Sequence, residues 1–375
     1  MHHSVGKLAV IGQNDQTFGI CVETADGINA WFWRNQTNHG LAVVRVAGCR
    51  DDAYRFVQQV VHEVRTYTDG CPVYFDQIVV DDHSSDGTAR LAAAFDFVTV
   101  IPAPRLPPGW AGKPWACATG AEAADGDVLV FLDADVRLDD GALDRVLDAH
   151  AARGGLLSVQ PWHTVERAFE RLSALFNVIA LMGIGAGGRR RPTGAFGPVM
   201  VTGRADYERV GGHHAVRDQV VEDVALARAY RDADLPVEVL TGERSVRFRM
   251  YPDGPRSMLQ GWTKNFVSGA GSTTPLRLGA VVVWVTSLGA SLGVLFDGLA
   301  DDLPVALFPL VYACFVGQLW WMFRRTGSFG LRTALVYPVL MAFFAVVFAR
   351  SAWRTYVRRS VTWRGRAVPV GAGRH

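Results

Sequence analysis

Two carboxylates that flank one small residue stand at the end of an uninterrupted apolar run. The run is Val128 to Leu132, and the carboxylates are Asp133 and Asp135. Such a run is typical of a parallel strand covered on both faces, and ligands collect at the carboxyl ends of these strands. Residues two apart in an extended chain point to the same side, so both side chains can reach one ligand. The pair predicts a site for Mg2+ and a diphosphate, with a solvated turn as the alternative.

A second acidic segment follows the apolar run Ile78 to Val80. Asp81 and Asp82 end this run, and the Ser and Thr residues that come next can cap a following helix. A carboxylate at such a strand end can accept hydrogen bonds from a base or a ribose. The two acidic strand ends together predict a nucleoside diphosphate site with a metal. The sequence has neither GxxxxGK(S/T) nor GxGxxG after the first strand, which disfavours a P-loop and a dinucleotide fold.

A lysine lies in a stiff loop between these two acidic segments. The loop reads PPGWAGKPWAC from Pro107 to Cys117, and Lys113 stands between a glycine and a proline, just before a predicted helix. Proline and glycine restrict the shape of the loop, so the lysine is held near one place. Lys113 can supply a cation to a diphosphate, with a solvent-facing lysine as the alternative.

Two adjacent carboxylates begin another predicted helix. Glu222 and Asp223 precede the apolar residues Val224 to Ala227. The positive end of the helix dipole favours carboxylates at such a position. If the reaction removes a proton from an acceptor hydroxyl, Asp223 is placed to be the general base. Ordinary acids of a first helical turn are the alternative.

The elements that must position these side chains alternate along the chain. We predict strands at 41–47, 77–80, 97–101 and 128–132, separated by helices at 53–66, 89–94 and 115–124. Strands that alternate with helices indicate an α/β protein with a doubly wound, mostly parallel, Rossmann-like sheet. The strand ends that carry the carboxylates would then meet at one edge.

The composition indicates about two domains in 375 residues, of which 49% are hydrophobic. We predict an N-terminal segment of unclear role at 1–40, the sheet domain at 41–275, transmembrane helices at 276–350 and a basic tail at 351–375. The five cysteines show neither CxxC nor metal-ligand spacing, which indicates reduced packing residues. The N-terminus lacks the pattern of a secretory signal.

The C-terminal third contains three apolar stretches, at 278–299, 303–323 and 334–349. Each approaches the roughly twenty residues that cross a hydrocarbon core. Arg324, Arg325 and Arg332 in the second connection predict that it is cytoplasmic, which places the sheet domain on the same side. The expectation is a multi-pass protein of the cell membrane. The arginine-rich tail suits an anionic membrane surface better than nucleic acid, because it follows apolar segments.

The stretch 165–185 is amphipathic at first and then apolar on every side. We interpret it as a helix that lies in the membrane interface, with a core helix as the alternative.

Taken together, the motifs VVDDHSSDGT, PPGWAGKPWAC, FLDADV, GAFGPVM with YERVGG, and VVED resemble those of family 2 glycosyltransferases of GT-A fold. Further segments, SVQPWH, GWTKNF and VTWRGR, are similar to the membrane-bound carotenoid branch, the diaponeurosporenoate-type glycosyltransferases. The resemblance covers the chain from about Ile78 to the C-terminus. It implies a GT-A catalytic domain followed by membrane helices.

The resemblance also implies a role for each candidate residue. Residues that would bind a nucleotide-sugar are Asp81, Asp82, Lys113, Asp133, Gly194 and Phe196. The last two belong to the GAFG segment, which would shape the sugar and acceptor pocket.

The catalytic and metal-binding residues implied by the resemblance lie in two other segments. Asp135 would bind Mg2+ or Mn2+, and Asp223, beside Glu222, would be the general base of an inverting displacement. The predicted partners are a nucleotide-sugar, with a UDP-sugar favoured, a lipid or carotenoid-like acceptor and the membrane, but not nucleic acid.

Two departures from the family pattern leave other functions open. Ala47 to Asp52 replace the family's Pro-Ala-Arg-Asn-Glu-Glu-like turn, and the Gln-x-x-Arg-Trp signature of processive synthases is missing, which favours transfer of a single sugar. The alternatives are a polyprenyl-phosphate sugar synthase with the same donor site and a catalytically silent membrane scaffold of the same fold.

Overall fold

The computed structural model describes residues 8–11, 17–22, 35–36, 41–43, 60–61, 65–66, 72–73, 75–84, 87–95, 98–186, 191–219, 221–270, 273–299, 307–353, 360–363 and 366–369. The chain divides into two compact units. The sheet unit contains Met1–Pro161 and Gly194–Asp253, and the helical unit contains Trp162–Thr193 and Gly254–His375. The sequence range 41–275 is therefore shared between both units. The loop at 47–52, which differs from the family pattern, and most of the tail at 351–375 lie outside the described residues.

The described strands and helices are numbered in chain order. The strands are β1 Leu8–Ile11, β2 Thr17–Val22, β3 Asn35–Gln36, β4 Leu41–Val43, β5 Val60–Val61, β6 Arg65–Thr66, β7 Pro72–Val73, β8 Phe75–Asp81, β9 Val98–Pro102, β10 Val128–Leu132, β11 Val136–Leu138, β12 Leu156–Gln160, β13 Trp162–His163, β14 Val199–Gly203, β15 Val237–Thr241, β16 Val246–Phe248, β17 Ser360–Trp363 and β18 Arg366–Pro369. The helices are α1 Thr88–Ala92, α2 Gly112–Ala123, α3 Ala142–Arg153, α4 Ala174–Ile184, α5 Arg204–Arg209, α6 Gly212–Ala215, α7 Glu222–Asp232, α8 Pro255–Ala270, α9 Pro275–Leu299, α10 Leu307–Thr326, α11 Gly330–Leu335 and α12 Tyr337–Trp353, with a 3-10 helix at Ala168–Ser173.

The main sheet of the sheet unit has the strand order β15-β12-β14-β10-β1-β8-β2, and β9 also pairs with β8. Strand β14 is antiparallel to both of its neighbours, β10 and β12, whereas the other pairs in this sheet are parallel. The sheet is therefore mixed and mostly parallel, and the predicted α/β class is confirmed. Strands β1 and β2 belong to the segment 1–40, so part of that segment joins the main sheet.

The core of the sheet unit surrounds β10. Leu129, Val130, Phe131 and Leu132 are each at most 2% exposed. Residues of α2, α3 and α7 belong to the same apolar cluster, including Cys117, Leu143 and Leu226. The uninterrupted apolar run is thus enclosed, as expected for a central strand.

Two predicted elements near the N-terminal end differ from the structure. The stretch 41–47 contains the short strand β4, which belongs to a separate sheet with β3 and β5. The range 53–66, predicted as a helix, contains strands β5 and β6. The adjacent β-branched residues Val60 and Val61 favour an extended backbone because a helix restricts their χ1 rotamers.

The helical unit has its own apolar core. Residues of α4, α9, α10, α11 and α12 form one buried cluster, which includes Leu175, Leu288, Leu319 and Tyr337. Leu175, Phe176, Val178 and Ile179 of α4 are at most 6% exposed, so the core helix given above as the alternative applies to the first half of α4 and the interface-lying interpretation is wrong there. The residues from Ala180 to Ile184 are partly exposed.

One helix of the described residues is long and apolar enough to cross a membrane. It is the part of α9 at Pro275–Gly293, and α12 is apolar but shorter. Length and composition are the basis of this result, and one such helix is weak support for a membrane span. The multi-pass arrangement predicted from three apolar stretches is therefore not supported by the described helices.

Candidate functional site

A partly buried lysine joins two of the predicted acidic segments. Lys113 lies in the first turn of α2, and its Nζ is 2.7 Å from Asp133 Oδ1 and 3.1 Å from Glu222 Oε1. The lysine side chain is 15% exposed, and the side chains of Asp133 and Glu222 are 25% and 8% exposed. The end of β10 and the start of α7 therefore meet the start of α2. Solvent screens these ion pairs less than it screens surface pairs.

Asp223 is held next to this lysine by two backbone N–H groups. Gly197 N–H donates to Asp223 Oδ2 at 2.7 Å, and Val224 N–H donates to Asp223 Oδ1 at 2.8 Å. Burial and the neighbouring charge of Glu222 raise the pKa of the Asp223 carboxyl to about 7, against the opposing effect of Lys113 and of the two N–H donors. A carboxyl group with this pKa can both hold and release a proton near neutral pH, which suits a general base.

Gly197 is the point at which these groups converge. A Cβ at this residue would lie 2.8 Å from Lys113 Nζ and 3.2 Å from Asp223 Oδ2. A side chain would therefore displace the lysine or the carboxylate. The neighbouring Phe196 is fixed by Ser158, whose Oγ accepts from Phe196 N–H at 2.7 Å and donates to Phe196 O at 2.9 Å. Strand β12 thus holds the segment that carries the Gly197 donor.

Two other residues of the site also depend on this segment. Asp133 N–H donates to Pro198 O at 2.9 Å, which ties the end of β10 to the residue after Gly197. A Cβ at Gly194 would lie 3.1 Å from both methyl groups of Val224, so Gly194 allows the segment to approach α7 closely. Phe196 is 9% exposed and Gly194 is also buried.

The acidic turn after β8 separates the roles of its two carboxylates. Asp81 is 8% exposed and accepts hydrogen bonds from the N–H and Oγ of Ser84, so it closes its own turn. The Oδ2 of Asp82 lies 3.5 Å from the position of a Cβ on Gly112, the residue before Lys113. Asp82 is therefore the carboxylate that faces the start of α2. Residues 85 and 86 of this predicted motif lie outside the described residues.

Asp133 and Asp135 do not share the extended geometry expected from their spacing. Strand β10 ends at Leu132, and Val136 N–H donates to Asp133 O at 3.0 Å, so the two carboxylates lie in a turn. Asp133 contacts Lys113, whereas Asp135 lies near the Tyr251 hydroxyl. Burial, and secondarily the charge of Asp135, raises the pKa of this tyrosine well above its usual range.

Strained backbone adjoins two of these carboxylates. His83, next to Asp82, and Tyr251, next to Asp135 in space, both have φ of 56°. Residues other than glycine in this left-handed region are disfavoured and often cluster at functional sites. Nothing in the sequence pattern marked Tyr251 as part of the site.

A metal ion at Asp135 would need further oxygen ligands from a bound substrate. Among the described residues no group of three or more His, Cys, Asp or Glu side chains could hold a metal ion. Asp135 is a partly exposed carboxylate, and Mg2+ commonly binds one or two carboxylates together with substrate phosphates and waters. The residues present therefore fit a metal shared with a diphosphate rather than a metal held by the protein alone.

An aromatic cluster covers the outer side of the lysine loop. The Trp110 ring meets the Trp115 ring edge-on at 5.0 Å and the His214 ring at 4.9 Å. Trp115 Nε1 donates to Pro104 O at 2.8 Å, and Ala111 N–H donates to Arg217 O at 2.7 Å. The two tryptophans of the loop thus pack against each other, and His214 completes the cluster.

Comparison with known proteins identifies a family model and a relative that match the chain. The family model described as "Glycosyl transferase family 2" matches residues 53–193. A 4,4'-diaponeurosporenoate glycosyltransferase of Staphylococcus aureus is 34% identical over 303 residues, which are 79% of this chain and 81% of the relative.

Two solved structures are more distant. A mannosyltransferase of Pyrobaculum calidifontis in complex with GDP-Man and Mn2+ has a TM-score of 0.44 and 16% identity, and the match covers 74% of this chain and 78% of that one. A glucosyl-3-phosphoglycerate synthase of Mycobacterium tuberculosis in complex with Mn2+ and UDP has a TM-score of 0.35 and 16% identity, over 52% and 70% of the two chains.

The family model and the mixed α/β sheet together support the GT-A fold. The identity to the Staphylococcus aureus relative extends over most of both chains. The chain therefore belongs to glycosyltransferase family 2, and it is an enzyme related to the carotenoid glycosyltransferases.

Proposed function

We propose that this enzyme transfers a single sugar from a nucleotide-sugar, with a UDP-sugar favoured, to a lipid or carotenoid-like acceptor with inversion at the sugar. The observation that carries the proposal is the cluster in which Lys113 contacts Asp133 and Glu222 while Gly197 N–H holds Asp223. It combines a cation suited to a diphosphate with a carboxyl group whose pKa is raised to about 7. Such a pair can bind a charged donor and accept a proton at one place.

The donor would lie along the edge where α2 begins. Asp82 faces Gly112 and is placed to accept hydrogen bonds from the nucleoside, with Asp81 fixing the turn that presents it. Lys113 would leave its carboxylates in part to contact phosphate oxygens. Asp133 would then be available to the ribose or the diphosphate.

Asp135 is the residue that would hold Mg2+ or Mn2+ together with the donor phosphates. When bound, the ion supplies positive charge that stabilises the leaving diphosphate. The protein's own contribution at this point is the turn after β10, which presents Asp135 two residues beyond the Lys113 contact.

Asp223 would act on the acceptor. Its two backbone N–H partners fix the orientation of the carboxylate, and burial together with the charge of Glu222 keeps its proton affinity high. The carboxylate would take the proton of an acceptor hydroxyl as the acceptor oxygen attacks the sugar carbon and the diphosphate leaves. Gly194 and Phe196 would shape the wall of the pocket beside it.

The helical unit would attach the enzyme to the cell membrane, with the sheet unit as the catalytic domain on the cytoplasmic side. The Staphylococcus aureus relative is named for a carotenoid carboxylic acid, which supports an apolar acceptor. The candidate span at Pro275–Gly293 is compatible with such an attachment.

A direct test measures transfer by membranes that contain the full chain. The membranes are incubated with a panel of nucleotide-sugars, and the lipid extract is analysed by mass spectrometry for a mass gain of one sugar. Acceptors are a carotenoid carboxylic acid, its alcohol and a polyprenyl phosphate. A sugar adduct of an apolar acid or alcohol is expected, an adduct of polyprenyl phosphate alone would reassign the acceptor, and no adduct with any donor would refute the proposal.

A further inference from the structure

The helical unit differs from the sheet unit in what its surface exposes. Among the described side chains, every large hydrophobic residue that is exposed lies between Leu276 and Trp353. These include Val283, which is 67% exposed, and Val339, which is 58% exposed. Soluble proteins rarely expose many apolar side chains in one region, and such surfaces mark contacts with membranes or other proteins.

Helix α10 carries two aromatic and basic pairs on its exposed side. Trp320 and Trp321 are 38% and 52% exposed, while Leu319 and Phe323 on the opposite side are fully buried. The guanidinium carbon of Arg324 lies 5.0 Å from the centre of the Trp320 ring, and that of Arg325 lies 4.1 Å from the centre of the Trp321 ring. Each arginine therefore rests on the tryptophan one turn before it.

This arrangement combines the two kinds of side chain that prefer the boundary of a bilayer. Tryptophan is enriched where the apolar chains meet the headgroups, and arginine binds phosphate through several N–H donors in one plane. A guanidinium that stacks its face on an indole keeps those in-plane donors for an anion. The favourable position of cations at a helix C-terminus also explains an arginine there, but it does not explain the exposed tryptophans.

The charge of the C-terminal segment indicates the charge of the surface that it would bind. From Leu303 to His375 the sequence contains ten arginines and no lysine, aspartate or glutamate. The segment itself therefore supplies no side-chain carboxylate to balance its positive charge. An anionic surface is complementary to it over its whole length.

We propose that Trp320, Trp321, Arg324 and Arg325 form a binding site for the phosphate headgroups of anionic phospholipids. The indole rings lie at the level where acyl chains and headgroups meet, and the guanidinium groups bind lipid phosphate. The site fixes the depth of α10 relative to the membrane surface. This inference rests on the membrane attachment that belongs to the proposed function.

The test compares vesicles of phosphatidylcholine alone with vesicles that contain one third phosphatidylglycerol. Purified full-length enzyme is transferred from detergent to each kind of vesicle, and the bound fraction is measured by flotation at low salt. The variants are Arg324→Gln with Arg325→Gln, and Trp320→Leu with Trp321→Leu. The matched control is Arg90→Gln with Arg228→Gln on exposed positions of the sheet unit.

We expect the wild-type enzyme to prefer the anionic vesicles. Each arginine at an anionic surface contributes roughly a fivefold increase in partitioning, so the α10 arginine variant should lower the anionic to neutral ratio by roughly 25-fold. The tryptophan variant should lower binding to both kinds of vesicle, and the sheet-unit control should change neither. If the α10 arginine variant keeps the wild-type ratio of anionic to neutral binding, the inference is overturned while membrane attachment stands. Wild-type enzyme that floats with no vesicle overturns membrane attachment itself.

Discussion

The pH dependence of transfer should reveal both the role of Asp223 and the chemical class of the acceptor. The pKa of the Asp223 carboxyl is raised to about 7 by burial and by Glu222. With a hydroxyl acceptor, only the ionised carboxyl can take the proton, and its fraction increases about tenfold between pH 6 and pH 8. The value of kcat/KM should therefore rise about tenfold over this range and then level off.

A carboxylic acid acceptor reverses the expectation. Its carboxyl group has an ordinary pKa of about 4, so it is already ionised and offers no proton to remove. A neutral Asp223 repels this acceptor less than an ionised one does. The rate should then stay level or fall as the pH increases through about 7.

The assay is the initial rate of UDP release at fixed donor and varied acceptor, between pH 5.5 and pH 8.5, with each class of acceptor. Asp223→Asn should reduce transfer to a hydroxyl by roughly 10²- to 10⁴-fold and remove the pH dependence, whereas it should affect a carboxylate acceptor mildly. The control is Asp232→Asn, an exposed residue near the end of the same helix. A hydroxyl acceptor that is glycosylated by Asp223→Asn at nearly the wild-type rate would refute the assignment of the base.

Stability provides an independent check on the same carboxyl group. Its pKa is higher in the folded than in the unfolded chain, so the folded state holds a proton that the unfolded state releases between about pH 4 and pH 7. Stability therefore decreases as the pH rises through that window. Asp223→Asn removes this penalty, and its Tm should exceed that of the wild type at pH 8 but match it at pH 4.

Three further predictions concern the neighbours of Asp223. Lys113→Met should destabilise the fold by about 2–4 kcal/mol in denaturant titrations, because it leaves Glu222 without its cation in a buried site. It should also shift the rise of kcat/KM to higher pH, because Lys113 lowers the pKa of Asp223. Gly197→Ala should lower kcat by about 100-fold with little change in circular dichroism, since its Cβ would lie 2.8 Å from Lys113 Nζ. The control Gly203→Ala should leave kcat nearly unchanged, because a Cβ there meets nothing within 4 Å. Asp135→Asn should raise the Mg2+ concentration needed for half-maximal activity by more than tenfold and leave UDP binding without metal unchanged; an unaltered Mg2+ requirement would exclude Asp135 as the ligand.

The positions of Lys113, Asp133 and Glu222 at the ends of their elements could be predicted from sequence. The apolar run before Asp133, the stiff loop before Lys113 and the helix start at Glu222 all indicate positions at one edge of an α/β sheet. The structure confirms those elements with α2, β10 and α7 starting or ending within one residue of the predicted site residues.

Other features of the site had no local signal. One of the two donors to Asp223 is the backbone N–H of Gly197, and its direction depends on the pairing of the following strand β14 between β10 and β12. Tyr251 reaches Asp135 from a distant part of the sequence through tertiary packing alone. The extended geometry expected for Asp133 and Asp135 is absent because the strand ends before them, so the two-residue period of a strand no longer applies.

The contacts of Lys113 imply that donor binding and protonation of the base are linked. Without a donor, the lysine cation lies between Asp133 and Glu222 and lowers the proton affinity of Asp223. A diphosphate that draws the lysine away from Glu222 would leave the carboxylates with less positive charge, and the pKa of Asp223 would rise further. Donor binding near pH 7 should therefore take up a fraction of a proton, which titration calorimetry in buffers of different ionisation enthalpy can measure. The same lysine would thereby make the base strongest when the donor is in place.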